Sequence, residues 1–371
     1  MKRYLISLSL IIACLLSACN SKQQNNKLNV PTDTIEFHNF KESSFTKLPE
    51  NLIAGKKFIN LEINNGTGKG YFGIVSKLSI VNGKIYVLDK RKKRLIVYSD
   101  AGKYIGSVSN LGTDYLNIAD FDVDDKGTIY LIDGKLDNII RYDSHFQLIG
   151  KRKLPYEVDI LQHLSNNTFL LGLSSWNKNA AAGEKLILAD DKLNIIQHIV
   201  NYDEFTDDNF WISDYQFMKT NKEIFYNKSI DNNVYIFSLE GKPEKSYFFN
   251  FGKMNVPDED KKNIQEKLAK FENYRVLTDF TIVEKNFALG RIWDKKQQRF
   301  FFADRANKIV YLENLKLPNE FKHPVDYDGT NLISFIYPGE YNNKYFDSLP
   351  EGSKRHLENG GVVVCSYEIK K

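Results

Sequence analysis

Apolar and polar residues alternate along this chain in short runs of about five to seven, separated by turns rich in Asp, Asn and Gly. Two stretches show the pattern best. Gly83 to Gly106 (GKIYVLDKRKKRLIVYSDAGKYIG) and Gly127 to Gly150 (GTIYLIDGKLDNIIRYDSHFQLIG) align without a gap at an offset of 44 residues. Ile85/Ile129, Tyr86/Tyr130, Asp89/Asp133, Ile96/Ile140, Tyr98/Tyr142 and Ile105/Ile149 match between them. A period in the low forties with several short strands in each period predicts propeller blades of four antiparallel strands, A innermost and D outermost.

The repeat extends in both directions. Blade 1 reads Lys77 to Val81, Lys84 to Asp89, Arg94 to Ser99 and Lys103 to Val108; blade 2 runs from Asp120 to Lys153. Weaker copies follow from VDILQHL (blade 3), DYQFM (blade 4), DFTIVE (blade 5) and DYDGTNLISFI (blade 6). Blade 6 supplies only three strands before the chain stops, and Lys57 to Ile63 (KFINLEI) stands alone before blade 1. Pairing that strand into blade 6 closes the ring and removes two open edges. The expected fold is thus an all-β, six-bladed β-propeller of four-stranded antiparallel blades, closed by an N-terminal strand. A small helical insertion is expected between blades 4 and 5, over Asn255 to Arg275. Pro257, Asp258, Glu259 and Asp260 suit its N-terminal end, and Ile264, Leu268 and Phe271 form its apolar stripe.

The first residues have a different pattern. Lys2 and Arg3 precede the apolar run Tyr4 to Leu16, and Leu16-Ser17-Ala18-Cys19 follows. This is the layout of a secretory signal peptide, and the run is too short to span a membrane as a helix. The tetrapeptide resembles a bacterial lipobox, which implies lipidation of Cys19. The domain reading is residues 1–18 signal peptide, 19–50 tether and N-terminal segment, and 51–371 propeller. Beyond Cys19 only Cys365 remains, so no internal disulfide is available to the mature chain.

On the LSAC tetrapeptide, the IYVLD and IYLID strands with LIVYSDAGKYIG and IIRYDSHFQLIG, and the FINLE closing strand, the chain resembles the six-bladed, NHL-repeat-like propeller lipoproteins of Bacteroidota. That resemblance implies a protein held to the cell envelope by an N-terminal lipid, at the outer membrane. It leaves the periplasmic and surface sides both open, and it names no activity.

Charge narrows the partners. The formal net charge is +4, two of it from Lys2 and Arg3, which gives no argument for nucleic acid. Departures from the repeat point to one working face, because the B–C and D–A connections of a blade emerge together. The long insertions all fall there: Leu173 to Glu184, Tyr202 to Ser213, Asn255 to Arg275 and Tyr337 to Gly360. Loops enlarged on a rigid scaffold are where binding evolves. Trp176, Trp211 and Trp293 map to the same face, where flat aromatics suit stacking on a glycan or peptide, or a protein partner. The run Lys90 to Arg94 reads as a solvated B–C turn that an anionic group could meet.

Strand A begins with Asp120, Asp159, Asp214, Asp279 and Asp326 in blades 2 to 6, where blade 1 has Lys77. If these carboxylates surround the channel mouth, they raise one another's pKa unless a cation such as Ca2+, or hydrogen-bond donors, intervene. The other reading is that each Asp accepts backbone N–H bonds and stitches blade to blade. The six histidines form no HxH or HExxH spacing, and no G-x-S-x-G or P-loop appears. Two functions follow: a ligand-binding or protein-interaction module working through the loop-rich face, with Lys77 among its candidates, or a cation-dependent hydrolase or lyase at the channel mouth.

Overall fold

Six antiparallel sheets, one for each predicted blade, form the propeller ring in the computed structural model of this protein. It describes residues 30–47, 52–63, 68–109, 112–205, 207, 215–316, 321–340 and 349–370, with the side chains of Asn179 and Asp279 outside that description. Cys19, Trp211 and Asp214 also lie outside the described residues.

The strands follow the alternation closely. Blade 1 comprises Lys77–Val81, Lys84–Asp89, Arg94–Ser99 and Tyr104–Val108, and blade 2 has the same order from Asp120–Val123 to Leu148–Lys153. The closing strand pairs as expected. Ile53–Leu61 runs antiparallel to Val362–Ile369 and is the fourth strand of blade 6. Its backbone also grips blade 1, since the Glu62 N–H donates to Gly102 O at 2.8 Å. At that crossing a side chain on Gly102 (φ +79°) would lie 2.1 Å from Asn60 O, so the position requires glycine.

The apolar residues of neighbouring blades meet face to face. Leu88, Val97, Phe121 and Leu131 pack between blades 1 and 2, while Leu161, Leu171 and Ile187 join Ile132 and Ile139 between blades 2 and 3. The second strands of blades 2 and 3, Ile129–Asp133 and Phe169–Leu173, are buried along their whole length, in keeping with a sheet sandwiched on each side.

Two features depart from the sequence expectations. Thr32–Ile35 adds to blade 4 as a fifth strand, parallel to Pro243–Phe249, and Lys41–Phe45 adds to blade 5, parallel to Ile309–Glu313. With the closing strand next in line, these three strands form a belt along the outer edges of blades 4, 5 and 6. Ile35, Phe37 and Phe45 are buried beneath it in one cluster with blade 4, 5 and 6 residues.

The insertion between blades 4 and 5 is a series of 3-10 turns (Gly252–Met254, Asp258–Asp260, Ile264–Lys267, Lys270–Asn273) and not one amphipathic helix. Asn263 takes a left-handed conformation (φ +53°) and interrupts it. Ile264 and Phe271 of the expected stripe are buried with Val256, Val276 and Trp293, but Leu268 is exposed. The α-helix among the described residues lies elsewhere, at Glu351–Glu358 in the blade 6 B–C connection.

Candidate functional site

The matching Asp89 and Asp133 close strand B of blades 1 and 2 and are fully buried. Each carboxylate holds two loops by their backbone. Asp89 accepts from Gly73 and Lys92 N–H at 2.7 and 2.8 Å; Asp133 accepts from Leu116 and Lys135 N–H at 2.8 and 3.0 Å. Their repetition reflects construction of the blade, because a carboxylate accepting several backbone N–H groups satisfies loops that water cannot reach.

The strand A aspartates divide. Asp120 is buried, takes a 2.8 Å hydrogen bond from Lys77 Nζ, and accepts the Leu161 N–H of blade 3 at 2.9 Å. Asp122, two residues on, accepts the His163 N–H at 2.7 Å and Gln162 Nε2 at 2.5 Å. Blades 1, 2 and 3 are thus sewn together at their inner strands. Lys77 corrects an expectation: it is buried, donating to Asp120 and to Phe121 O at 2.7 Å, and offers no surface ammonium to a ligand. A buried ammonium is stable only with a partner, and Asp120 supplies it. Among the described residues, no three His, Cys, Asp or Glu side chains gather as a metal site.

Asp326 is buried on the inner strand of blade 6 and accepts the Tyr327 N–H at 2.9 Å. Burial, with the Asp328 charge adding to it, pushes its carboxyl up to about 7 from 3.8. The folded state therefore binds this proton more tightly. The associated stability is complete below about pH 4 and is lost as pH rises through about 7. Asp326→Asn should remove that loss, gaining roughly 1–3 kcal/mol on the wild type between about pH 5 and pH 8. Urea unfolding at both pH values measures it, and a constant difference between the two proteins would contradict the assignment.

Asp159 takes a different position, facing a cleft of about 610 Å³ on the loop-rich side of blades 2, 3 and 4. Trp176, on the blade 3 B–C loop, stands at its edge with 57% of its surface exposed. Tyr202, Phe205 and Tyr215 come from the blade 3 to blade 4 connection, and Lys228 from the blade 4 B–C loop. The Tyr215 hydroxyl donates to Asp159 Oδ2 at 2.5 Å. Burial, then the Asp159 charge, raises that hydroxyl well above the ordinary tyrosine value, so it stays protonated and donating.

Lys228 Nζ sits over the rings of Tyr202 and Tyr215, 4.8 and 4.7 Å from their centroids, and 4.0 Å from Asp159. Lys185 Nζ pairs with Asp231 at 2.6 Å behind them. These contacts fix the side chains before any ligand arrives, which is what gives a pocket selectivity.

Of the sequence candidates, Trp176 and Asp159 line this cleft, and so does Lys90 of the basic run. Trp293 does not: its Nε1–H donates to Phe271 O at 3.3 Å and its ring packs in the cluster beneath the insertion. Tyr202, Lys185, Lys228 and Asp231 were not singled out from sequence. The usable signal was the long Tyr202 to Ser213 insertion. Tyr215 packs against the apolar cluster of blades 3 and 4 and also lines the cleft.

Fold and site together define a closed six-bladed propeller with a preformed polar-aromatic cleft on its loop-rich face. The chain belongs to the family described as a domain of unknown function, DUF4934, which it matches over residues 34–360. None of the curated proteins matches it. Among solved structures, a protein described as exported from Bacteroides fragilis aligns with a TM-score of 0.70 and 15% identity, over 92% of this chain and 100% of its own. At that identity the likeness shows the fold alone. A member of the DUF4221 family from Bacteroides vulgatus aligns at a TM-score of 0.47 and 9% identity, over 87% of this chain and 100% of its own. BamB from Moraxella catarrhalis aligns at 0.41 and 8%, over 69% and 71%.

Proposed function

We propose that this protein is a lipid-anchored propeller of the bacterial cell envelope that captures a ligand in the cleft between blades 2, 3 and 4. The cleft carries the reading. It joins an exposed tryptophan, two tyrosines and a lysine held between them in one concavity of ligand size. Binding is favoured over cation-dependent hydrolysis at the channel mouth because Asp120, a central candidate there, is engaged by Lys77 and the Leu161 backbone.

The envelope location draws support from Lys2, Arg3 and the Leu16-Ser17-Ala18-Cys19 tetrapeptide, and from the exported character ascribed to the Bacteroides fragilis structure. Metabolic labelling with an alkyne fatty acid should mark the wild type and leave Cys19→Ala unmarked. Labelling of both would remove the anchor from the proposal.

For the binding itself, a thermal-shift screen of small molecules, peptides and glycans is expected to yield a compound that raises the unfolding midpoint of the wild type by several degrees. At about one hundred times Kd, a ligand adds about 2.7 kcal/mol. Trp176→Ala should lose that shift while keeping its own midpoint. Ligands that act equally on both proteins would place binding elsewhere.

A further inference from the structure

We infer that the ligand class of the cleft is an uncharged oligosaccharide, an inference that rests on the cleft being the binding site. Among the described lining residues its charges balance. Lys90, Lys185, Lys228 and Lys261 line it. So do Asp159, Asp203, Asp207 and Asp231, and the described lining holds no other charged side chain. The inner charges are already matched, Lys185 with Asp231 at 2.6 Å and Lys228 with Asp159 at 4.0 Å. An anionic ligand would have to separate an ammonium from its carboxylate and leave the carboxylate poorly compensated, and a cationic ligand the reverse.

Such side-by-side pairs suit a hydroxyl group. A hydroxyl donates one hydrogen bond and accepts others, so it can bridge a lysine and an aspartate without disturbing either. Asp159 keeps this capacity. One oxygen accepts from Tyr215, and its side chain is 37% exposed toward the cleft. A sugar ring presents several such hydroxyls around its edge.

The aromatic part of the cleft completes the match. Trp176 keeps more than half of its surface exposed at the edge of the cleft. A pyranose ring carries its C–H bonds on its faces, so it can stack on an indole while its edge reaches the polar floor. The volume of about 610 Å³ falls within the range that encloses a bound small molecule, which admits a short oligosaccharide. Neutral recognition also predicts little dependence on salt.

The test uses the full mature chain on a printed panel of neutral oligosaccharides and their uronic and sulfated counterparts, followed by calorimetry with the best neutral binder. The expected result is binding to neutral members, with Kd changing less than about twofold as salt is raised. Trp176→Ala and Lys228→Met should each weaken it by about tenfold or more, with the unfolding midpoint of Trp176→Ala close to wild type. Binding confined to uronic or sulfated glycans, or neutral binding undiminished in both variants, would overturn the inference. So would a panel without any neutral binder. In that case a Trp176-dependent peptide or small molecule from the thermal-shift screen would leave the binding reading standing, and its absence would remove both.

Discussion

Replacing Lys77 with alanine is expected to destabilise the propeller by about 3–5 kcal/mol, the cost of leaving a buried charge without its partner. Lys77 and Asp120 face each other at 2.8 Å with 8% and 3% of their side chains exposed. The ammonium also donates to Phe121 O and lies 5.1 Å from the Phe121 ring centroid, so the loss includes one carbonyl bond and the packing of the aliphatic stem. Asp120 would retain the Leu161 N–H as its recorded donor.

The double variant Lys77→Met/Asp120→Asn separates charge from shape. Methionine refills the stem's volume, and the asparagine oxygen can still accept the Leu161 N–H. It should recover much of the stability lost by either single change, giving a coupling energy of about 2 kcal/mol or more in a double-mutant cycle. Additive losses in urea unfolding would show that the pair does not act as a unit.

Phe37→Ala should cost a similar amount, about 3–5 kcal/mol, as a large-to-small change in a filled core. Phe37 is 1% exposed and meets Phe251 at 5.1 Å and Phe301 at 5.3 Å between ring centroids, both near edge-on. The ring sits between the two added strands, so it pins the belt to blades 4 and 5. Glu42 on the second added strand reinforces the attachment through Arg275 Nη1 at 2.7 Å. Removing residues up to 47 should be at least as costly and should expose the outer edges of both blades. A peptide spanning residues 30–47 added in trans is expected to restore part of the unfolding midpoint. A truncated protein as stable as the intact chain would show that the belt is dispensable.

The two variants probe parts of the molecule that differ in how plainly the sequence announces them. Lys77 stands out because it breaks a series that the sequence suggests, Asp at the start of five later inner strands; in the structure Asp120 and Asp326 do begin theirs, whereas Asp159 follows Val158 and Asp279 falls inside Arg275–Val283. The direction of Lys77 does not follow from its position, since a lysine at a channel mouth can equally face solvent. The belt is fainter. TDTI and KESSF are short and mostly exposed, and their partners lie more than two hundred residues away, as in the Thr32 to Ser246 contact. A parallel edge pairing needs no alternation of its own, because the apolar face belongs mainly to the strand it joins.

The cleft lies between these cases. The repeat marks the loops that build it, since an insertion shows as a lengthened interval between strands. It does not mark which side chains meet. Lys228 stands between Tyr202 and Tyr215 only because connections from two blades converge.

Blade number and the closing role of the strand before blade 1, expected at Lys57 to Ile63 and found at Ile53–Leu61, could be read from the chain alone, because a strand's two faces are set by a period of two residues and each sheet must be covered on both sides. The belt on blades 4 and 5, the inward turn of Lys77 and the membership of the cleft were decided by the tertiary structure. Each depends on contacts between residues distant in sequence, whose energies appear only once the ring has closed and set the loops side by side.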